Sequence, residues 1–357
     1  MALIGVGVYL ALVVVLAATH GGNAEWFMKF GTDSSVTAYG REVLGPDLVV
    51  PFDEAQDGTA FWVQARDPLL TDPAAMEAYT DRPQYRADRV LYPLLAAPFA
   101  LGGEQGLVWG LVVVNLGVVF AGGYLTARLA QQIGAPAGAG YAFAANPLVL
   151  ASVVLDVADA LAVVALVAVV LAVRRERWAW AVVAAVAAVL TKEAGILVIG
   201  AVALGATTAP WRRRFALVAV AGVVLAAWAA YVRLRVDSRT TGVEEVTVVP
   251  FGGFSQAWRL AWAPQGQWGA AMIAGLLVVV AVVIVVRWWR RRTLELWAAL
   301  PFALLVPFLS GQVVHWGTNS VRAIGPSLTF LVLDVMAERH GTRRPLTRPT
   351  APPVRAT

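Results

Sequence analysis

The chain has 357 residues, of which 59% are hydrophobic and 14% are charged, and its mean hydropathy is +0.68. Soluble domains carry roughly a quarter of charged residues, so this composition excludes a water-soluble globular protein and predicts an integral membrane protein. The formal charge of +5 does not predict a nucleic-acid partner. In a membrane protein, basic residues first indicate how the chain is oriented in the membrane. The absence of cysteine excludes disulfides, thiolate metal sites and cysteine nucleophiles.

Long apolar runs rich in Val, Leu and Ala predict an all-α polytopic protein with about ten transmembrane or re-entrant helices. In chain order the predicted segments are Ala2–Ala18, Leu107–Ala127, Ala137–Leu155, Ala158–Val173, Trp178–Leu190, Gly195–Ala206, Phe215–Val232, Gly269–Val286, Leu296–Leu309 and Val321–Met336. The fifth and sixth are short, and runs of that length are often broken or re-entrant helices. The first run lacks a basic flank before it and is interpreted as an uncleaved helix.

Arginine clusters predict the orientation, because basic residues accumulate on the cytoplasmic side. The clusters are Arg174 to Arg177, Arg212 to Arg214, Arg287 to Arg292 and a basic, Pro-rich tail over 338–357 that is predicted to be disordered. Both termini are then cytoplasmic, and residues 1–337 form a single transmembrane domain. The cytoplasmic parts hold 16 Arg and 4 acidic residues, and the exoplasmic parts hold 12 Lys or Arg and 19 acidic residues. This acidic surplus predicts chemistry on the exoplasmic side.

Two of the exoplasmic connections in this topology are long loops. The first loop, residues 19–106, is the main polar region and is predicted to contain short interfacial helices; the second loop, residues 234–267, is interpreted as a cap. Asp57 in the first loop precedes Gly58 and a group of aromatic residues. The glycine permits a tight backbone and close approach of a substrate, which leaves the carboxylate exposed at a turn or helix start. An ordinary Asp-Gly turn is the alternative.

The first loop also carries a group of arginines around an aromatic ring, namely Arg82, Tyr85, Arg86 and Arg89. The arginines are four and three residues apart, so a helix starting near Pro83 would place them on one face. Guanidinium groups bind phosphate oxygens in a bidentate fork, which predicts a phosphate or pyrophosphate ligand. The alternative is an interfacial helix that contacts lipid headgroups or pairs with Asp81 and Asp88.

Acidic residues at predicted helix ends form the next group of candidates. Asp156 and Asp159 are three residues apart, hence on one face if the chain is helical there, and they would face a water-filled cavity shared with the first loop. The alternative is a solvated turn between two helices. Lys192 and Glu193 follow the same logic, with mutual pairing as their alternative.

Around the start of the tenth segment, Arg322 is a candidate contact for a lipid phosphate, and His315 is a candidate for hydrogen bonding or proton transfer. A polar hairpin is the alternative for His315. No His, Asp and Glu spacing is typical of a metal site, and no phosphate-binding loop, dinucleotide fingerprint or Gly-x-Ser-x-Gly motif is present.

The order of several short motifs resembles bacterial multispanning members of the GT-C glycosyltransferase superfamily, of the mannosyltransferase-like kind. These motifs are Asp57-Gly58, Arg66-Asp67-Pro68, Tyr85-Arg86, Arg89-Val90-Leu91-Tyr92-Pro93-Leu94-Leu95, Asn146-Pro147, Asp156 and Leu190-Thr191-Lys192-Glu193. The resemblance covers about the first 200 residues. Many relatives have an acid followed by proline where this chain has Asp159-Ala160, and an arginine in place of Lys192. These departures leave open the roles of both residues, and whether the chain is active.

The resemblance implies an inverting enzyme of the bacterial plasma membrane that transfers a mannose-like sugar from a polyprenyl-phosphate donor to a glycan, lipid or protein acceptor. Asp57 would be the catalytic base or would orient the acceptor. The phosphate leaves as a stable anion, so it needs the arginines rather than a strong general acid. The resemblance specifies no cofactor and leaves a divalent cation open. The alternatives are a transporter or flippase of a lipid-linked saccharide and a non-catalytic lipid-binding protein.

Overall fold

A computed structural model describes residues 2–237, 246–262 and 268–340, and every regular element among them is a helix. The first seven helices are α1 (Ala2–Thr19), α2 (Glu25–Met28), α3 (Ser35–Leu44), α4 (Asp57–Arg66), α5 (Ala74–Tyr79), α6 (Pro83–Ala87) and α7 (Leu91–Ala96). The next seven are α8 (Gly103–Gln132), α9 (Tyr141–Ala144), α10 (Pro147–Leu155), α11 (Asp159–Arg174), α12 (Trp178–Thr191), α13 (Gly195–Gly205) and α14 (Trp211–Arg235). The last five are α15 (Gly252–Ala261), α16 (Trp268–Arg291), α17 (Leu294–Leu305), α18 (Gly311–His315) and α19 (Gly317–Arg339).

Five helical stretches are long and apolar enough to cross a membrane, which makes this a multi-pass membrane protein. They are α1, the stretch Leu91–Gln132, α14, α16 and α19. A sixth arises if α9 and α10, which are bent by 47° relative to each other, form one broken span. Each of the ten predicted segments overlaps a helix, but the four helices α11, α12, α13 and α17 are too short to pass the same test. Ten crossings therefore stay a prediction.

The helix α11 lies at the centre of the bundle. It packs against α8, α12 and α17, and its apolar residues are buried nearly all round. A helix that is hydrophobic on every side needs such a position, because no polar face is available for solvent. In contrast, α1, α14 and α16 leave long rows of Val, Leu and aromatic residues exposed, which is the surface that lipid would cover.

The chain between α1 and α8, which was predicted to be the first loop, folds into short helices. Helices α2 to α7 surround a second apolar core centred on the fully buried Trp62 and Tyr92. This core continues onto α8 and onto the end of α14 at Val232 and Val236. The loop thereby packs against the ends of the bundle helices, where it brings its charged residues next to theirs. Its exoplasmic location stays a prediction.

The second loop is described in part. The Thr247 amide donates to the Phe308 carbonyl at 2.7 Å, and the Phe251 amide donates to the Pro307 carbonyl at 2.5 Å, so this segment is held against the end of α17. Glu244 and Glu245, assigned to this loop, lie outside the described residues. The predicted disordered tail begins too early at 338, because α19 continues to Arg339. Residues from 341 onward lie outside the described ranges.

Candidate active site

Asp57 is the first residue of α4, as predicted for a helix start. A Cβ on Gly58 would lie 2.6 Å from the Leu155 carbonyl oxygen and 3.0 Å from Met28 Cα. Glycine is therefore needed because α4 meets the chain's own backbone, whereas the sequence predicted close approach of a substrate. The Asp57 side chain is only 15% exposed. The prediction of an exposed carboxylate is therefore wrong. The N-terminus of α4 favours negative charge at this position.

Both carboxylate oxygens of Asp57 accept hydrogen bonds from guanidinium groups. Oδ1 accepts from Arg86 Nη1, and Oδ2 accepts from Arg322 Nη2. Although burial acts to raise the pKa of Asp57, the positive charges of Arg322 and Arg86 hold it well below its ordinary value. Asp57 is therefore an ionised carboxylate that joins the first loop to α19.

A second buried carboxylate continues this chain of charges. Asp159 opens α11 and is 3% exposed; its Oδ2 accepts from Arg322 Nε at 2.6 Å and its Oδ1 accepts from Lys192 Nζ at 2.5 Å. Arg322 thus bridges two carboxylates from different parts of the chain. Arg86 makes a similar bridge, because its Nε and Nη2 donate to Asp81 at 3.0 and 3.2 Å. Together these six residues, Asp57, Asp81, Arg86, Asp159, Lys192 and Arg322, are called the Asp57 network below.

The remaining arginines of the first loop surround Tyr85 beside the Asp57 network. The guanidinium carbons of Arg82 and Arg89 lie 4.5 and 4.3 Å from the ring centroid, within cation–π range. Arg89 also donates to the Tyr85 hydroxyl, and its Nε and Nη2 donate to Glu193 at 3.3 and 3.2 Å. The arginines converge as predicted. They do so by surrounding the Tyr85 ring and not by sharing one helical face, because α6 spans only Pro83–Ala87.

Lys192 and Glu193 occupy the turn between α12 and α13, and they pair with different partners. Lys192 binds Asp159, whereas Glu193 binds Arg89. Lys192 and Glu193 therefore do not pair with each other, so the alternative of mutual pairing is wrong. Both residues instead connect this turn to the candidate site, Lys192 directly to the Asp57 network and Glu193 to the arginines around Tyr85.

Asp156 is separated from Asp159, although only two residues lie between them. Asp156 has a left-handed backbone with φ of 53° that ends α10, and α11 begins afresh at Asp159. The predicted shared helical face is therefore wrong, and so is the solvated turn, because both side chains are buried. Asp156 Oδ1 accepts from the Tyr92 hydroxyl at 2.7 Å and from Asn115 Nδ2 at 3.0 Å.

No cation partners Asp156 among the described residues, and its Oδ2 has no hydrogen-bond partner there. Burial raises the pKa of Asp156 to about 7. The side chain is fully buried, so it lies apart from the surface that a substrate could reach. Its geometry suits a structural polar cluster with Tyr92 and Asn115 rather than direct contact with a phosphate.

His315 is the last residue of α18, and its side chain lies outside what the structure describes. Its predicted role in hydrogen bonding or proton transfer stays a prediction. Nearby, Arg322 Nη1 lies 3.4 Å from the Asn319 side-chain oxygen, so Asn319 adds a neutral acceptor at the edge of the Asp57 network.

Sequence reasoning missed Lys29. Its side chain is 1% exposed, its ammonium lies over the Trp26 ring, and no described residue accepts a hydrogen bond from it. Burial lowers the pKa of Lys29 to about 7. The one available signal was compositional, since Lys29 and Lys192 are the only lysines in the chain. Asp81 was considered only as an alternative partner of the arginines, yet it forms one end of the Asp57 network.

Taken together, guanidinium groups and carboxylates from four separate segments meet at one end of the bundle. Such a site can hold phosphate oxygens with arginine and present a carboxylate to a hydroxyl group. Within the described residues, no group of three or more His, Cys, Asp or Glu side chains is arranged to hold a metal ion. No protein-family model, curated protein or solved structure matches the chain.

Proposed function

We propose that the protein is an inverting glycosyltransferase that moves a mannose-like sugar from a polyprenyl-phosphate donor to an acceptor hydroxyl on the exoplasmic side. One observation carries the proposal: Asp57 sits between Arg86 and Arg322 at the end of an apolar bundle. A lipid-linked phosphate needs cations at the membrane surface, and an acceptor hydroxyl needs a carboxylate. The two requirements meet at this one residue and its partners.

In the proposed reaction, the acceptor oxygen attacks the anomeric carbon from the face opposite the phosphate. The bond from that carbon to the phosphate oxygen breaks, and its electrons leave with the polyprenyl phosphate. The hydroxyl proton passes to Asp57, and Arg86 with Arg322 stabilises the charge that develops on the phosphate. One carboxylate suffices for direct inversion, so Asp81 and Asp159 need not act as a second catalytic acid.

The ion pairs within the Asp57 network imply a specific role for binding of the donor. With both its oxygens bound to arginine, Asp57 is a weak base, because those cations stabilise its ionised form. A phosphate group that binds Arg86 and Arg322 replaces the carboxylate as their partner. The pKa of Asp57 then moves back towards its ordinary value, and one carboxylate oxygen becomes available to the acceptor. Binding of the donor thereby activates the base.

The surrounding residues have positioning roles on this proposal. Asp159 holds the Arg322 side chain through a bond of 2.6 Å, and Lys192 holds Asp159 through a bond of 2.5 Å. Arg82, Arg89 and Tyr85 form the adjoining wall, with Glu193 fixing Arg89. Many of the glycosyltransferases that the chain resembles carry arginine at the position of Lys192. Here the lysine binds Asp159, a carboxylate of the site, which supports retention of a binding function.

The proposal is tested with purified full-length protein, radiolabelled polyprenyl-phosphate mannose and a bacterial membrane extract as the acceptor source. We expect Asp57→Asn to reduce transfer of label out of the lipid fraction by at least about 100-fold, as for loss of a general base. Donor binding should persist, since the arginines remain. Asp53→Asn, which alters an exposed carboxylate of the same segment, is the matched control and should leave the rate unchanged. Full activity of a folded Asp57→Asn variant would refute the proposal.

A transporter or flippase for a lipid-linked saccharide is the second candidate function. It is favoured by a cavity lined with arginines at the opposite ends of helices that form the site. A transporter would move labelled polyprenyl-phosphate mannose across sealed vesicles and leave the sugar attached to its lipid. Transfer of the label to an acceptor, without such movement, would exclude this alternative.

A further inference from the structure

A cavity of about 980 Å³ lies at the end of the bundle away from the Asp57 network. It is lined by the last residue of α11, Arg174, whereas Asp159 at the first residue of α11 belongs to the Asp57 network. At a rise of 1.5 Å per residue, the two ends of α11 are separated by about 22 Å. The cavity is therefore distinct from the candidate active site. We call it the arginine cavity, defined by Arg174, Arg213, Arg290, Arg291, Arg292 and Glu295.

Positive charge exceeds negative charge in the arginine cavity. Its lining holds five arginines and three acids, which are Glu176, Glu295 and Asp334. Two of the arginines are already engaged: Arg174 donates to both oxygens of Glu295 at 2.6 and 2.7 Å, and Arg291 contacts Glu338 at 2.6 Å. The other three are surplus cations.

Arg213, Arg290 and Arg292 form no ion pair with any described residue, and all three are exposed. Arg292 instead lies over the Trp288 ring, with 3.9 Å between its guanidinium carbon and the ring centroid. Stacking leaves the guanidinium edge free to donate to an oxyanion. The basic residues of a membrane rim do not by themselves form a site, but here they line a concave volume within the range of about 300–1,000 Å³ found for small ligands.

Helix ends add to the positive potential. Three helices begin at this cavity, because Trp178 opens α12, Pro210 precedes α14 and Thr293 caps α17. The N-terminus of a helix carries a partial positive charge that favours anions. Exposed apolar residues of α14 and α16 run from the cavity along the outside of the bundle, so an acyl chain could lie against them while a headgroup occupies the cavity.

We propose that the arginine cavity binds the phosphate-bearing headgroup of an anionic lipid, drawn from the membrane leaflet on that side. Basic pockets between membrane helices are suited to such headgroups, and each arginine near the surface contributes about 5-fold in affinity for an anionic lipid. Arg213 and Arg290 are the binding cations that can be removed without breaking a pair inside the protein. This site is independent of the proposed transfer reaction.

The test uses the purified full-length protein in detergent, titrated separately with phosphatidylglycerol, phosphatidylcholine and inorganic phosphate. Native mass spectrometry measures the lipid retained. The wild-type protein should retain phosphatidylglycerol in preference to phosphatidylcholine. Arg213→Gln and Arg290→Gln should each weaken that retention by about 5-fold.

Arg212→Gln is the matched control, because Arg212 is the neighbouring exposed arginine and does not line the cavity. It should leave retention of phosphatidylglycerol unchanged. An equal loss in the control would show attraction to the whole basic rim and would overturn the site. Retention of inorganic phosphate without any preference for phosphatidylglycerol over phosphatidylcholine would overturn the assignment to a lipid.

Discussion

The two ends of α11 differ in how the charges around them are balanced. At Asp159, the carboxylates and cations of the Asp57 network bind one another from segments that are distant in sequence. At Arg174, the pairs Arg174–Glu295 and Arg291–Glu338 lie beside three arginines that have no acidic partner in the described chain. We call the first end closed, because its carboxylates and cations bind one another. We call the second end open, because three of its cations have no acidic partner in the described chain.

This difference has a consequence for ligand binding at each end. A ligand at the Asp57 network must displace an internal partner, so its affinity is reduced by the lost ion pairs, but its binding can also change the state of Asp57. A ligand at the arginine cavity meets unpaired cations and displaces only water and counterions. The first arrangement suits coupling of binding to chemistry, and the second suits simple retention of an anion.

Replacing Arg322 should have the largest effect, because this residue closes the first end. Arg322→Met removes one cation from Asp57 and one from Asp159, whose side chain is 3% exposed. Leaving buried carboxylates short of a partner costs about 3–5 kcal/mol. We therefore expect a large loss of stability, measured by denaturation in mixed micelles, together with loss of sugar transfer.

Arg322→Lys is the informative companion variant. It keeps the charge but cannot bridge two carboxylates in the same way, since lysine has a single ammonium group. We expect it to recover much of the stability while transfer stays low. A wild-type stability for Arg322→Met would contradict the view that this end of the bundle is closed by ion pairs.

Breaking the pair at the other end should cost less. In Glu295→Gln, Arg174 loses its carboxylate partner, but it lines a cavity that water can enter, so it can be hydrated. We expect a loss of about 2 kcal/mol, in the range for charged hydrogen bonds. The same denaturation measurement checks it. Should Glu295→Gln destabilise the protein more than Arg322→Met, the contrast between a closed and an open end would be wrong.

The candidate residues of the site could largely be found from the sequence. Placing a charged residue among apolar helices costs free energy, so such residues are rare and are candidates for function. Asp57, Asp159 and Arg322 could be identified in this way. Their partners could not be found in the same way. Asp57 and Arg322 are separated by 265 positions, and only the packing of the first loop on the bundle brings them together.

Local spacing failed where the backbone departs from a regular helix. The interval of three between Asp156 and Asp159 predicted a common face, but the left-handed conformation of Asp156 ends α10 and reverses that relation. A single non-glycine residue with positive φ gives little signal in a sequence. The apolar helices were easier to predict, because a run of apolar residues can be recognised without knowledge of distant contacts.

Asp156 tests the contrast between paired and unpaired carboxylates within the first end itself. Because its pKa is raised to about 7 from an ordinary value of 3.8, the folded protein binds a proton that the unfolded chain releases between those values. Stability should therefore fall as pH rises from about 4 to 7 and stay level above that. Asn tolerates a left-handed backbone and keeps the acceptor oxygen for Tyr92 and Asn115.

Asp156→Asn should thus remove this pH dependence and leave the protein at least about 1 kcal/mol more stable than wild type at pH 7.5. Denaturation curves at pH 5 and pH 7.5 measure both quantities, and sugar transfer should continue in the variant. A loss of stability at pH 7.5 would mean that the Asp156 carboxylate has a cationic partner in the membrane. Unchanged stability with abolished transfer would instead move Asp156 into the proposed active site, and the division between buried polar cluster and Asp57 network would then have to be redrawn.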